Sequence, residues 1–165
     1  MQKLKKRLLL FSSVLLGIFA LINLIWVWQV GMKFYKYGQT IEYVDDSGRM
    51  EVDGYYYIVK PAGYLSYETG HLSVSQRGFD NDSDICFYYY PRAFGKSYYG
   101  IDYFYPITDD SNIGIYFILF DKDFQQLNGD EIAMGEEFQQ ILDDHQEEIL
   151  DLMAHAKTMW GLEYK

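Results

Sequence analysis

One cysteine, three prolines and three histidines are spread thinly over 165 residues. Each shortage removes a class of protein. Cys86 cannot close an internal disulfide, so the chain is not a disulfide-stapled secreted module. His71, His145 and His155 show no metal-ligand spacing: HExxH is missing, and ten residues separate the last two. No GxSxG elbow and no glycine-rich phosphate loop occurs. Neither enzymatic activity nor a cofactor nor a bound metal is expected. Acidic residues are missing from the first 36 positions, where six basic ones stand.

That acid-free segment holds one long uncharged run. Residues 8–28 include no charge and only Ser12, Ser13 and Asn23 as polar side chains. As a helix the run is about 31 Å long, the thickness of a bilayer core. Trp26, Trp28, Phe34 and Tyr35 close it in the manner of an interfacial aromatic belt. A cleavable signal peptide would have a shorter apolar region ending in a small-x-small site, which is missing around Ala20 and Gly31. Lys3, Lys5, Lys6 and Arg7 precede the run and only Lys33 and Lys36 follow it closely. The positive-inside rule therefore predicts a single-pass anchor in the cell membrane, with its amino end cytoplasmic and the rest outside. The division is an anchor over residues 1–36 and one extracytoplasmic domain over residues 37–165.

Removing the anchor changes the charge balance. Six of the 14 basic residues and none of the 24 acidic ones fall before Tyr37, leaving 8 against 24 and a formal charge of −16 on the domain. Such a surface repels nucleic acid and draws basic partners. An exported domain without disulfides fits a bacterium, and about 130 residues can bury an adequate core unaided.

Within the domain, short apolar runs alternate with turn signals, which predicts an antiparallel sheet. Strands are expected over 41–45, 49–52, 55–60, 64–68, 71–76, 85–90, 97–105 and 113–120, with turns at Asp46-Ser47-Gly48, Asp53-Gly54 and Pro61-Ala62-Gly63. The last run, IGIYFILF, is apolar at both alternating sets, the pattern of a central strand covered on both faces. After Asp130 the period changes. Phe138, Ile141, Leu142, His145, Ile149, Leu152, Met153, Ala156 and Trp160 recur every three or four residues, with Gly161 at the C′ position. The fold class is α+β: a transmembrane helix, an antiparallel sheet, and one long C-terminal helix on one sheet face, leaving the other face open.

The stretch FDNDSDICFYYYPR sits where an open face would be bordered. Asp80, Asp82 and Asp84 occupy alternate positions, as at the start of an EF-hand loop. The sixth position, which needs glycine, would be Ile85, and the twelfth would be Pro91 in place of a bidentate glutamate, so that motif fails. The remaining readings are a solvated loop, a looser extracellular calcium site or an acidic binding rim. Sixteen of 17 tyrosines lie between Tyr35 and Tyr116, and both alternating sets of the strands at 85–90 and 97–105 are aromatic. One helix cannot cover them all. Tyrosine buries much area at little entropic cost, which favours it at protein interfaces. The candidate partner-binding residues are Asp80, Asp82, Asp84, Tyr88, Tyr90, Tyr98 and Asp102.

The chain's end, FILFDKDFQQLNGDE followed by EEFQQILDDHQEEILDLMAHAKTMWGL, resembles the C-terminal part of TipC-type immunity proteins of streptococci and relatives. The pattern is a strand ending in Asp121-Lys122-Asp123-Phe124, a short loop, and a helix closing on Ala156, Lys157, Trp160, Gly161 and Leu162. About 45 residues carry the resemblance, and none of them is a ligand motif. It implies a membrane-anchored antitoxin that binds and blocks a secreted toxin acting on cell-wall precursor lipid, with no chemistry of its own. An accessory or structural component of an export or cell-surface assembly is the alternative. The topology is open to test by single cysteines in whole cells. A membrane-impermeant thiol reagent is expected to label a cysteine placed after Lys36 and to miss one placed before Leu8.

Overall fold

The computed structural model describes residues 2–42, 49–66, 70–76, 85–92, 96–106, 113–127 and 135–164. Helix α1 (Gln2–Trp26) runs through a π-helical turn (Val27–Gly31) into α2 (Met32–Gly38). Together they form a helix, Lys5–Gly38, long and apolar enough to cross a membrane. Six strands follow: β1 (Arg49–Val52), β2 (Tyr55–Lys60), β3 (His71–Gln76), β4 (Ile85–Tyr90), β5 (Tyr98–Pro106) and β6 (Ile113–Phe120). They pair antiparallel in chain order as one sheet. Helices α3 (Gly135–Asp144) and α4 (Gln146–Trp160) end the chain. The fold is α+β.

Local chemistry accounts for the joints. Asp53 and Gly54 both have positive φ (51° and 84°), as a two-residue hairpin between β1 and β2 requires. Gly161 takes the left-handed conformation, and its N–H reaches the Lys157 carbonyl at 2.8 Å, closing α4. The Asp121-Lys122-Asp123-Phe124 motif is a turn tied by one side chain: Asp121 Oδ1 accepts the N–H groups of Asp123 (2.9 Å) and Gln125 (3.0 Å). Phe124, at φ 58°, then stacks on Phe120.

Cross-strand register sorts the side chains into two faces. Met50, Tyr57, Val74, Phe87, Ile101 and Ile118 stand in one row, and Val59, Leu72, Tyr89, Tyr99 and Phe120 in another. All are buried. Phe138, Leu142, Ile149, Leu152, Ala156 and Trp160 cover this face, as the periodicity predicts, with Ile141 partly buried at the margin. The helical stripe is divided in two at His145, whose backbone leaves the helical region (φ −106°, ψ 15°). Its ring lies against Tyr103 and its Nδ1 is 3.4 Å from Glu148.

Three strand expectations are corrected. IGIYFILF forms β6 at the edge of the sheet, not a central strand: Ile118 and Phe120 face the helices, while Ile113, Ile115 and Phe117 stay exposed on the other side. Tyr64, Leu65 and Ser66 form a turn instead of a strand, with the Ser66 N–H on the Gly63 carbonyl and Leu65 at φ 58°. Ile41 and Glu42 carry no strand, and the rest of that proposed strand and its turn lies outside the described residues.

The apolar helix does not end where the domain begins. Val30 and Phe34 are buried in the same core as the sheet. The Trp26 indole N–H donates to the Ser66 carbonyl at 2.8 Å. Gly70 is required here, since a Cβ would collide with the Phe34 ring and the Ala62 backbone. Two substitutions test these contacts in the full chain. Leu142→Asp puts a charge at a fully buried site and is expected to abolish the cooperative melt. Phe34→Ala is expected to cost about 3–5 kcal/mol of domain stability. A melt unchanged by Phe34→Ala contradicts the docking of α2.

Candidate functional site

Strand parity sets what the helices leave uncovered. The residues alternating with the core rows include Tyr56, Ile58, Tyr88, Tyr90, Tyr98, Asp102 and Phe117. The structure thus brings Tyr88, Tyr90, Tyr98 and Asp102 together on the open face. Asp80, Asp82 and Asp84 lie outside the described residues.

The open face is held by ring contacts. Tyr98 stacks on Tyr90 at 4.7 Å between centroids, and Tyr90 on Tyr88 at 6.2 Å. Phe117 meets Tyr88 and Tyr90 edge-on, and the His71 ring meets the same two tyrosines from β3. The Arg92 guanidinium lies 4.6 Å above the Tyr98 ring. Small residues lie among the rings. Ser73 and Ser75 are buried, and a Cβ at Gly100 would sit tightly, 3.1 Å from the Phe117 side chain and 3.2 Å from that of Leu119.

Asp102 sits within this arrangement. Cys86 and Phe117 are its cross-strand neighbours, and Tyr88 donates its hydroxyl to Oδ2 at 2.6 Å. Burial pushes the Asp102 pKa up, with the Tyr88 hydrogen bond opposing part of the shift. Burial also holds Cys86 protonated, its pKa pushed up to about 12, so the thiol is not a nucleophile. His71 is pushed down to about 4 by burial and by Lys60, so it is neutral at pH 7. The chemistry on offer is recognition: flat aromatic area, a shallow floor and one partly desolvated carboxylate.

The other two histidines belong to the packing. His155 Nδ1 is 3.0 Å from the Tyr57 hydroxyl and its ring stacks on Tyr55, whose own hydroxyl donates to Asp151 at 2.7 Å. Among the described residues, no three of His, Cys, Asp and Glu gather as a metal site. Sequence reasoning missed Phe117, His71 and Arg92. The first was legible in principle, because in IGIYFILF the set Ile113, Ile115, Phe117, Leu119 alternates with the core set.

Comparison with protein-family models, with curated proteins and with solved structures finds no significant match.

Asp102 gives a signed pH prediction. Its folded pKa lies above its unfolded value, so the native state binds the proton more tightly. Stability contributed by the protonated group is full below the unfolded value and is lost as pH rises through the folded pKa. Asp102→Asn keeps an acceptor for Tyr88 and removes that cost. Its melting temperature is expected to exceed the parent's at pH 7 and to match it below pH ~3.5. A variant less stable at pH 7 contradicts the burial of this charge.

Proposed function

We propose that this chain is a membrane-anchored immunity protein that binds and neutralises a secreted antibacterial toxin on the open face of its sheet. One observation carries the reading. A connected aromatic face, Tyr88, Tyr90, Tyr98 and Phe117, is left uncovered by the helices, among the described residues, around the half-buried Asp102 carboxylate. A carboxylate whose pKa is raised by burial, set among exposed rings, is a candidate binding group. The formal charge of −16 outside the anchor favours a toxin with a basic surface. The helix supplies single-pass attachment, with the amino end cytoplasmic by its lysines. That the toxin acts on cell-wall precursor lipid, and that it leaves its producer by type VII secretion, comes from the resemblance to TipC-type proteins alone.

Work is divided physically between charge and rings. Acidic groups speed encounter, and aromatic burial holds the complex. On this reading an exported toxin is encoded near this gene, and the test pairs the chain with it. Tyr88→Ala or Tyr98→Ala is expected to speed dissociation, costing about 1–3 kcal/mol each. Lysine at Asp80, Asp82 and Asp84 together is expected to slow association and flatten its salt dependence. Binding unchanged in all of these variants overturns the open-face reading.

A second reading, an accessory component of an export or surface assembly, has its own observation. The edge strand β6 exposes Ile113 and Ile115, at 61 % and 56 %, and an apolar edge is a template for strand addition. Such a protein would lose its partner on Ile113→Pro and tolerate Tyr98→Ala.

A further inference from the structure

The connection between β2 and β3 reaches down the apolar helix instead of standing away from it. The Tyr64 hydroxyl donates to Asn23 Oδ1, and the Tyr64 ring packs edge-on against Trp26 at 5.5 Å. The Trp26 indole is fixed to the Ser66 carbonyl. Asn23 lies five residues before Trp28, the end of the 21-residue run that starts at Leu8. At about 1.5 Å per residue, Tyr64 is therefore held roughly 7.5 Å short of the outer end of that run. A hydrocarbon core of about 30 Å needs about 20 residues, almost the whole run from Leu8 to Trp28. If the run crosses the bilayer, the Tyr64 turn lies at or just below the outer lipid interface.

The chemistry of the turn agrees with that depth. Residues 61–66 read Pro-Ala-Gly-Tyr-Leu-Ser, with no charge, in a domain carrying 32 charged side chains from Tyr37 onward. Tyr64 is 67 % exposed although it is tied to the helix at its hydroxyl, so its ring flank is presented outward. Trp28, at 75 %, and Tyr35, at 64 %, are exposed on the same helix, giving the amphipathic rings that partition into the headgroup zone. Lys60 precedes the turn, and Lys33 and Lys36 stand on α2, beyond the end of the apolar run. In hydrocarbon the Asn23 amide would otherwise have only the Phe19 carbonyl, which its Nδ2 already holds at 2.8 Å; Tyr64 satisfies its oxygen.

We propose that residues 61–66 are a second membrane contact, a lipid-interface turn that seats the domain flush on the bilayer in one orientation. This rests on the helix crossing the membrane, as proposed above, and is independent of what the open face binds. With Val30 and Phe34 in the core, the domain is not a tethered bead, because the helix that crosses the bilayer also enters the fold.

The experiment uses the full chain with Cys86→Ala, reconstituted in phosphatidylethanolamine–phosphatidylglycerol vesicles containing nitroxide-labelled lipid. An environment-sensitive fluorophore is attached at single cysteines: Tyr64→Cys, Gly63→Cys, Leu16→Cys within the apolar run, and Leu150→Cys on α4. Gly63→Cys leaves the Tyr64–Asn23 contact in place, so the test survives if Tyr64→Cys disturbs the turn. Labels at 63 and 64 are expected to be quenched several-fold more than the label at 150, and best by nitroxide near the headgroup. Quenching at 16 with none above the level of 150 at 63 and 64 overturns the turn's lipid contact while leaving the anchor standing. No quenching at 16 overturns both.

Discussion

Two short helices cannot cover both sides of a six-stranded sheet, and the rest of the molecule follows from that limit. The amphipathic faces of α3 and α4 place Phe138, Leu142, Ile149, Leu152, Ala156 and Trp160 on the rows of Phe87, Ile101, Tyr99 and Phe120. Among the described residues, side chains of the opposite parity are covered by no helix and pack against one another. They are accordingly large flat rings that stack laterally, with serine and glycine where a ring must lean over. A face built in this way keeps its shape without a cover, which is what a preformed binding surface needs.

At the apolar-helix end the limit is met differently. Trp26, Val30 and Phe34 recur every four residues and so fall on one side of the helix. That side closes the sheet near Val59, Pro61 and Ala62, around a cleft of about 350 Å³. The apolar helix and the domain share a core through Val30 and Phe34, so their relative orientation is a property of the fold and not of a linker.

Period-based reasoning found the bounds of β1, β2, β3, β4 and β6 and the buried stripe of the C-terminal helices, because alternation and the 3.6-residue repeat are local signals. What it missed depends on distant partners. His145 falls on the apolar stripe and is flanked by neither glycine nor proline, so nothing local marks the break between α3 and α4. IGIYFILF is apolar on both sets whether it is a covered central strand or an edge strand with one exposed face. Trp26 and Phe34 suit an aromatic belt and a domain core equally well; only Ser66 and Gly70, more than 35 residues away, decide between them. The candidate residues Tyr88, Tyr90, Tyr98 and Asp102 were legible from strand parity, but their joining to Phe117 and His71 needed the cross-strand register.

Side-chain radical footprinting of the domain with and without the proposed toxin partner tests the open face most directly, since it resolves the two sides of a single strand. The account predicts that Tyr90, Tyr98 and Phe117 lose reactivity in the complex while Leu150 and Met159 on α4 keep theirs. Protection of Leu150 with unchanged reactivity at Tyr98 and Phe117 would contradict it.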